Sequence, residues 1–230
     1  MRSLMHACLV LWSLAAITTL AMTNPAHAAN CEPLAAQAVS VQGTVESQAP
    51  GESTWIAVTI NQAFCPGDTI RVGENSRASL LLANQSVLRL NAGSSFTLEG
   101  TEGETTTVVD LKKGAAHFFS RVFNGLKVKT PFLTAGVRGT EFLINVDQDR
   151  TAVTIFEGGV LAANDQGELS LSGGQSAEAR QGQAPVLKTV VRPRDAVQWA
   201  LYSPPVVYQA PSAGMAAQDT NDPRFLIQRA

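Results

Sequence analysis

The sequence predicts an all-β protein: a twisted roll built from a solenoid-like stack of antiparallel hairpins, or alternatively a β-sandwich, ending in a short, partly helical C-terminal segment. Two observations carry this expectation. Apolar residues alternate with polar ones at period 2 through most of the stretch from Val39 to Arg180, where no helical periodicity is sustained. Turn-forming clusters separate these runs at intervals of about 8–12 residues, which is the spacing of hairpins rather than of strand–helix units.

The chain begins with what reads as a targeting segment, residues 1–28. Arg2 supplies a positive start, an apolar run extends from Ala7 to Leu20, and Ala26-His27-Ala28 forms a small-x-small cleavage signal, so processing is expected between Ala28 and Ala29. The run is shorter than the roughly 20 apolar residues of a membrane span, and no later stretch approaches that length. An exported, periplasmic chain without a transmembrane segment is therefore expected after cleavage.

The β-region is expected over residues 29–185. V-Q-G-T-V (41–45) opens the series, followed by the turn F-C-P-G-D (64–68). Ala78, Leu80 and Leu82 alternate before an Asn84-Gln85 corner. Leu88 and Leu90 flank Arg89, Phe96 and Leu98 flank Thr97, and Leu126 and Val128 alternate with Lys127 and Lys129. Phe142, Ile144 and Val146 lead into Asp147-Gln148-Asp149-Arg150, and Val153 and Ile155 lead out. Asn164-Asp165-Gln166-Gly167 and Ser172-Gly173-Gly174 mark two more corners. In T-P-F-L-T-A-G-V-R-G-T-E-F (130–142), Pro131 is expected to end one strand, Gly136 and Gly139 to permit a corner, and Thr140 to begin the next strand.

Composition shifts after Gln181. Residues 186–208 read as a packed or linking segment with a short helix in A-V-Q-W-A-L-Y (196–202), Asp195 being a first-turn acid and Pro204-Pro205 a stop. Residues 209–230 read as a linker and the start of a helical repeat region, with Asp222-Pro223 as a helix-start signature.

Charge and chemistry-bearing residues narrow the functional classes. Without Arg2 the chain carries 16 basic against 19 acidic residues, a balance that speaks against nucleic acid. Past the targeting segment two thiols remain, Cys31 and Cys65, which read as one disulfide in an oxidising compartment. His117 is the one histidine left for catalysis or metal binding and lies in the apolar run A-A-H-F-F-S, where a structural role is expected. Asp147 and Asp149 offer too few ligands for a Ca²⁺ cage, so no metal and no cofactor are expected. Glu141 and Glu157 could face each other across a hairpin as a hydrolase-like pair, although a solvated cross-strand position suits them better. G-V-R-G-T lacks phosphate-loop spacing. Lys127, Lys129 and Arg138 could form a basic stripe that, with an exposed Trp55, would suit a carbohydrate or peptidoglycan. The Gly139-Thr140 bond has the atoms for an N→O acyl shift and self-cleavage, in which the Thr140 hydroxyl attacks the Gly139 carbonyl.

V-K-T-P-F-L-T-A-G-V-R-G-T-E-F-L-I-N-V (128–146) followed by T-I-F-E-G-G-V-L-A (154–162) resembles the signature of FecR-domain proteins. Upstream, C-P-G-D-T-I-R-V-G-E-N-S-R-A-S-L-L-L (65–82) is similar to the family's opening strands, so the core motif spans about residues 65–165. The stretch R-P-R-D-A-V-Q-W-A-L-Y-S-P-P-V-V-Y (192–208) is similar to the segment that precedes tetratricopeptide repeats in large exported bacterial proteins. The resemblance implies a non-enzymatic role in protein–protein interaction, linked to signalling in the envelope of a Gram-negative bacterium, with another envelope protein or domain as partner. Lys127, Lys129, Pro131, Gly136, Arg138, Gly139, Thr140 and Glu141 are the motif residues that could contribute to the contact. Signalling members couple a loaded outer-membrane iron transporter to a sigma factor through a membrane span. This chain is expected to depart from them, because a cleavable targeting segment without a second span in this sequence would leave nothing to reach a sigma factor. Some members are processed at a Gly-Thr bond in this region, which adds to the interest of Gly139-Thr140.

Overall fold

The computed structural model describes residues 31–103, 106–189 and 192–202. The proposed cleavage site at Ala28 and Ala29 and the stretch 209–230 lie outside the described residues.

Among the described residues fourteen strands follow one another: β1 (Ala36–Gln42), β2 (Val45–Gln48), β3 (Ile56–Ala57), β4 (Ala63–Phe64), β5 (Thr69–Val72), β6 (Arg77–Leu82), β7 (Val87–Leu90), β8 (Ser95–Glu102), β9 (Thr106–Lys129), β10 (Thr134–Val146), β11 (Arg150–Asn164), β12 (Gly167–Ser172), β13 (Ser176–Arg180) and β14 (Val186–Lys188). A 3-10 helix, Pro193–Tyr202, closes the described chain. The protein is thus all-β, with its hairpins joined in one continuous sheet rather than a closed barrel. The long path runs β14-β13-β11-β10-β9-β7-β6-β1-β4, while β12 pairs with β11 and a branch β3-β2-β5-β8 joins β9.

The branching follows from two strands that each serve two parts of the sheet. Thr106–Lys113 of β9 pairs with β8, and Gly114–Lys129 pairs with β10. Between the two, Gly114 has φ +88°, and a Cβ there would lie 2.5 Å from the Ser94 Cα, so only glycine permits the close crossing. In β11, Arg150–Thr154 pairs with β13 and Gly159–Asn164 pairs with β12. These long strands replace the evenly spaced short ones expected from the turn signals. The difference is physical: a bend at a glycine interrupts alternation as a turn does, yet keeps the backbone ladder intact.

Period 2 places the core. Leu88, Phe118, Phe142 and Ile155 are adjacent across β7, β9, β10 and β11, and all are buried. Phe118 and Phe142 stack with ring centres 4.7 Å apart, and each fully buried ring contributes about 1.5–3 kcal/mol of burial. Cys31 and Cys65 are joined by a disulfide with Cα atoms 5.6 Å apart, which ties the start of the described chain to the F-C-P-G-D turn.

The row next to the core row faces outward: Arg89, His117, Leu143, Thr154 and Ser176 are successive partners across five strands. In A-A-H-F-F-S, Ala116, His117 and Phe118 are buried in succession, which simple alternation would not allow. The reason is a second small apolar cluster on the outer face. There Val197 and Ala200 of the 3-10 helix pack with Leu143, Ala115, Phe156 and Trp199.

Candidate functional site

The motif 130–142 does not form the expected corner at its glycines. The reversal comes earlier, where exposed Pro131 lies between β9 and β10, and the Thr130 hydroxyl donates to the Leu133 carbonyl at 2.6 Å. From Thr134 onward the chain is one strand, so Gly136 lies within β10 opposite Lys127 and Leu161, and Thr140 is interior to the strand rather than its first residue. Gly139, at φ +58°, forms a bulge where the register with both neighbours shifts. On β11 the opposing Gly158 has φ +83°, and a Cβ there would sit 2.2 Å from the Gly139 carbonyl oxygen. Gly158 is therefore needed for the two backbones to meet at the bend, while Gly139 supplies the positive φ of the bulge.

Thr140 locks that bend. Its hydroxyl donates to the Gly159 carbonyl at 2.8 Å and accepts from the Gly159 N–H at 3.2 Å, and the residue is buried. The bulge also turns Glu141 onto the outer face, between Phe119 and Glu157 in register. There its Oε1 accepts from His117 Nε2 at 3.2 Å and from Arg194 Nη1 at 3.5 Å. The guanidinium of Arg89 lies 5.1 Å from the Phe119 ring centre, and that of Arg194 lies 5.4 Å from Phe156. The His117 ring is 4.3 Å from Phe119 and meets Phe156 edge-on at 5.6 Å.

Burial, and then the nearby Arg89 and Arg194 charges, lower the pKa of His117 to about 4. The imidazole is thus neutral at ordinary pH and donates one N–H to Glu141. Its Nδ1 and the Arg89 Nε are buried without a hydrogen-bond partner among the described residues. Burial also lowers the Arg89 pKa, opposed by Glu141. This arrangement holds a polar group together beneath a covering helix; its one histidine faces a carboxylate and aromatic rings, with no nucleophile among those partners.

Other sequence-predicted residues lie elsewhere. Lys127 pairs with Glu102 at 2.7 Å and Lys129 pairs with Glu99, so two members of the basic stripe are neutralised within the sheet, while Arg138 is exposed. The Trp55 face carries Arg71 at 4.0 Å from the ring centre, and Arg71 is itself paired with Glu46. Asp147 pairs with Arg150 at 3.0 Å, and Asp149 pairs with Arg180. Glu157 is Glu141's register partner and is exposed, whereas Glu141 is drawn into the His117 group. Among the described residues no helix is long and apolar enough to cross a membrane. Arg89, Phe119, Phe156 and Arg194 were missed from sequence as members of one site. The only signal was an arginine or an aromatic ring on the outward side of a strand for Arg89, Phe119 and Phe156, and a basic residue at the start of the short helix for Arg194.

Comparison with known proteins bears on the fold and on the motif. Two crystal structures of a candidate anti-sigma factor from Parabacteroides distasonis are similar, each with TM-score 0.51 and 19% identity over 57% of this chain. The likeness covers 64% and 63% of those chains, so this chain spans less than two thirds of their length. No curated protein matches the sequence. The model of the FecR protein family matches residues 68–161, which takes in β5 to most of β11 and the whole bulge motif. The resemblance to FecR-domain proteins read from the motif is therefore borne out over residues 68–161.

Proposed function

We propose that this protein is a non-enzymatic interaction module of the bacterial envelope, in which the FecR domain docks another protein as part of signalling. The observation that carries this reading is the family match over the strands that build the bulge and the outer face. The similar fold of a candidate anti-sigma factor supports a regulatory role. In this reading residues 1–28 direct export to the periplasm and are removed before Ala29, residues 186–208 form a packed or linking segment with a short helix, and residues 209–230 form a linker and the start of a helical repeat region.

The test is capture from envelope extract with the chain 29–230 as bait, beside pelleting with purified, protein-free sacculi. Recovery of a specific envelope protein, with the bait staying in the supernatant of the sacculi, is the expected result. Sedimentation with the sacculi would replace this reading by peptidoglycan binding.

The Gly139-Thr140 bond is expected to stay intact in the folded protein. The Thr140 hydroxyl is held by Gly159 on both its donor and acceptor sides. Attack on the Gly139 carbonyl therefore requires that contact to open first. We expect a single full-length band on a denaturing gel of the folded protein. Two fragments meeting at this bond, abolished by Thr140→Val, would show that the shift proceeds.

A further inference from the structure

The outer face of β9–β11 carries a short helix that is poorly anchored to it, and this contrast points to a use. A run of ten residues is long for a 3-10 helix, whose strained hydrogen bonds rarely sustain more than 3–4 residues. Few contacts hold it to the sheet. Val197 and Ala200 are its buried apolar residues, while Leu201 is 79% exposed. Its ionic contact is the 3.5 Å pair between Arg194 and Glu141, made by a guanidinium whose side chain is 69% exposed. The strand that leads to it, β14, is exposed along all three residues and pairs with β13 alone among the described strands.

Ala115, Leu143 and Phe156 form an apolar floor. Glu141 is the acid beside it, fixed by His117, and the Phe156 ring receives a cation on its face. Such a surface selects its ligand by two features at once: an arginine that reaches both the carboxylate and the ring, and small apolar residues one turn further on.

We propose that this face is a docking site for a partner's short helix bearing an arginine followed by small apolar residues, and that residues 193–202 occupy it in cis as a replaceable cover. This deepens the interaction role proposed above and rests on it. The cover lowers the apparent affinity for the partner by the fraction of time it is seated. Loosening the cover should therefore strengthen binding in trans.

The test uses the chain 29–230 and a fluorescein-labelled peptide of sequence R-P-R-D-A-V-Q-W-A-L-Y, read by fluorescence anisotropy. Val197→Asp in the protein unseats the cover, and the peptide is expected to bind this variant at least about tenfold more tightly than the unaltered chain. Glu141→Lys in the same background should abolish binding, and a peptide carrying Arg194→Glu should restore it. Leu201→Ser, at the exposed side of the helix, should leave the affinity as in the unaltered chain. Should Val197→Asp lower the melting of the β-sheet itself, Arg194→Glu in the protein carries the same comparison, since it alters an exposed side chain. Equal affinity for covered and uncovered proteins, or failure of the charge exchange, overturns the proposal. A dimer that exchanges the segment between copies would overturn it too, because the occupant would then be a second copy. The peptide assay needs no envelope partner, so its outcome is independent of the capture experiment.

Discussion

At His117 a single buried ring sets a pH dependence. The unfolded imidazole takes up a proton near pH 6.5, whereas the folded one does so at about 4. Between these values the unfolded chain binds more protons, so acidification favours unfolding, and below about 4 the effect levels off. Stability should fall as pH drops from about 6.5 to 4, by a loss that approaches about 3 kcal/mol. Glu141, Arg89 and Arg194 are the charged groups around the ring, and the two arginines act in the same direction as burial. Urea titrations across this range should show the decline in the unaltered protein, and His117→Gln should flatten it. An unchanged slope in the variant would mean that another group carries the dependence.

Among the elements, the bend shared by β10 and β11 is the most constrained. A Cβ on Gly158 would strike the Gly139 carbonyl at 2.2 Å, whereas one on Gly139 meets nothing within 4 Å. Both residues have positive φ. Gly139→Ala should therefore cost about 1 kcal/mol from the backbone conformation alone. Gly158→Ala should cost more, about 2–3 kcal/mol, since the strands must also separate. Thermal melts of the two variants would check the order, and a larger effect at Gly139 would contradict the geometry. Neither glycine could be ranked from the sequence. G-V-R-G-T and E-G-G-V-L each read as a glycine between strand-like runs, and only their cross-strand meeting makes one of them intolerant of a methyl group.

For the molecule as a whole, the disulfide fixes the start of the chain to the sheet. Cys31 and Cys65 are 34 residues apart, and closing such a loop is worth about 3–4 kcal/mol in the chain-entropy model. Cys65→Ser should lower the denaturation midpoint accordingly, as should reduction of the unaltered protein, with little further loss when the two are combined. Independent losses that add would show that Cys65 acts through packing instead. Because β1 and β4 lie at the far end of the long sheet path from β11, this loss should leave the outer-face site intact in the folded fraction.

The sequence by itself determined the all-β class, the pairing of two lone thiols, the residues 128–146 as the distinctive motif and the short helical segment near 196–202. These are local matters: period 2, turn chemistry and residue inventory are written in neighbouring positions. Tertiary structure alone decided that the motif is a bulged strand rather than a corner, since a glycine at positive φ serves either. It also decided that Glu141 meets His117 and Arg194, residues 24 and 53 positions away. That meeting depends on strand order and on which face a bulge turns outward, and both are set by long-range pairing that no local pattern records.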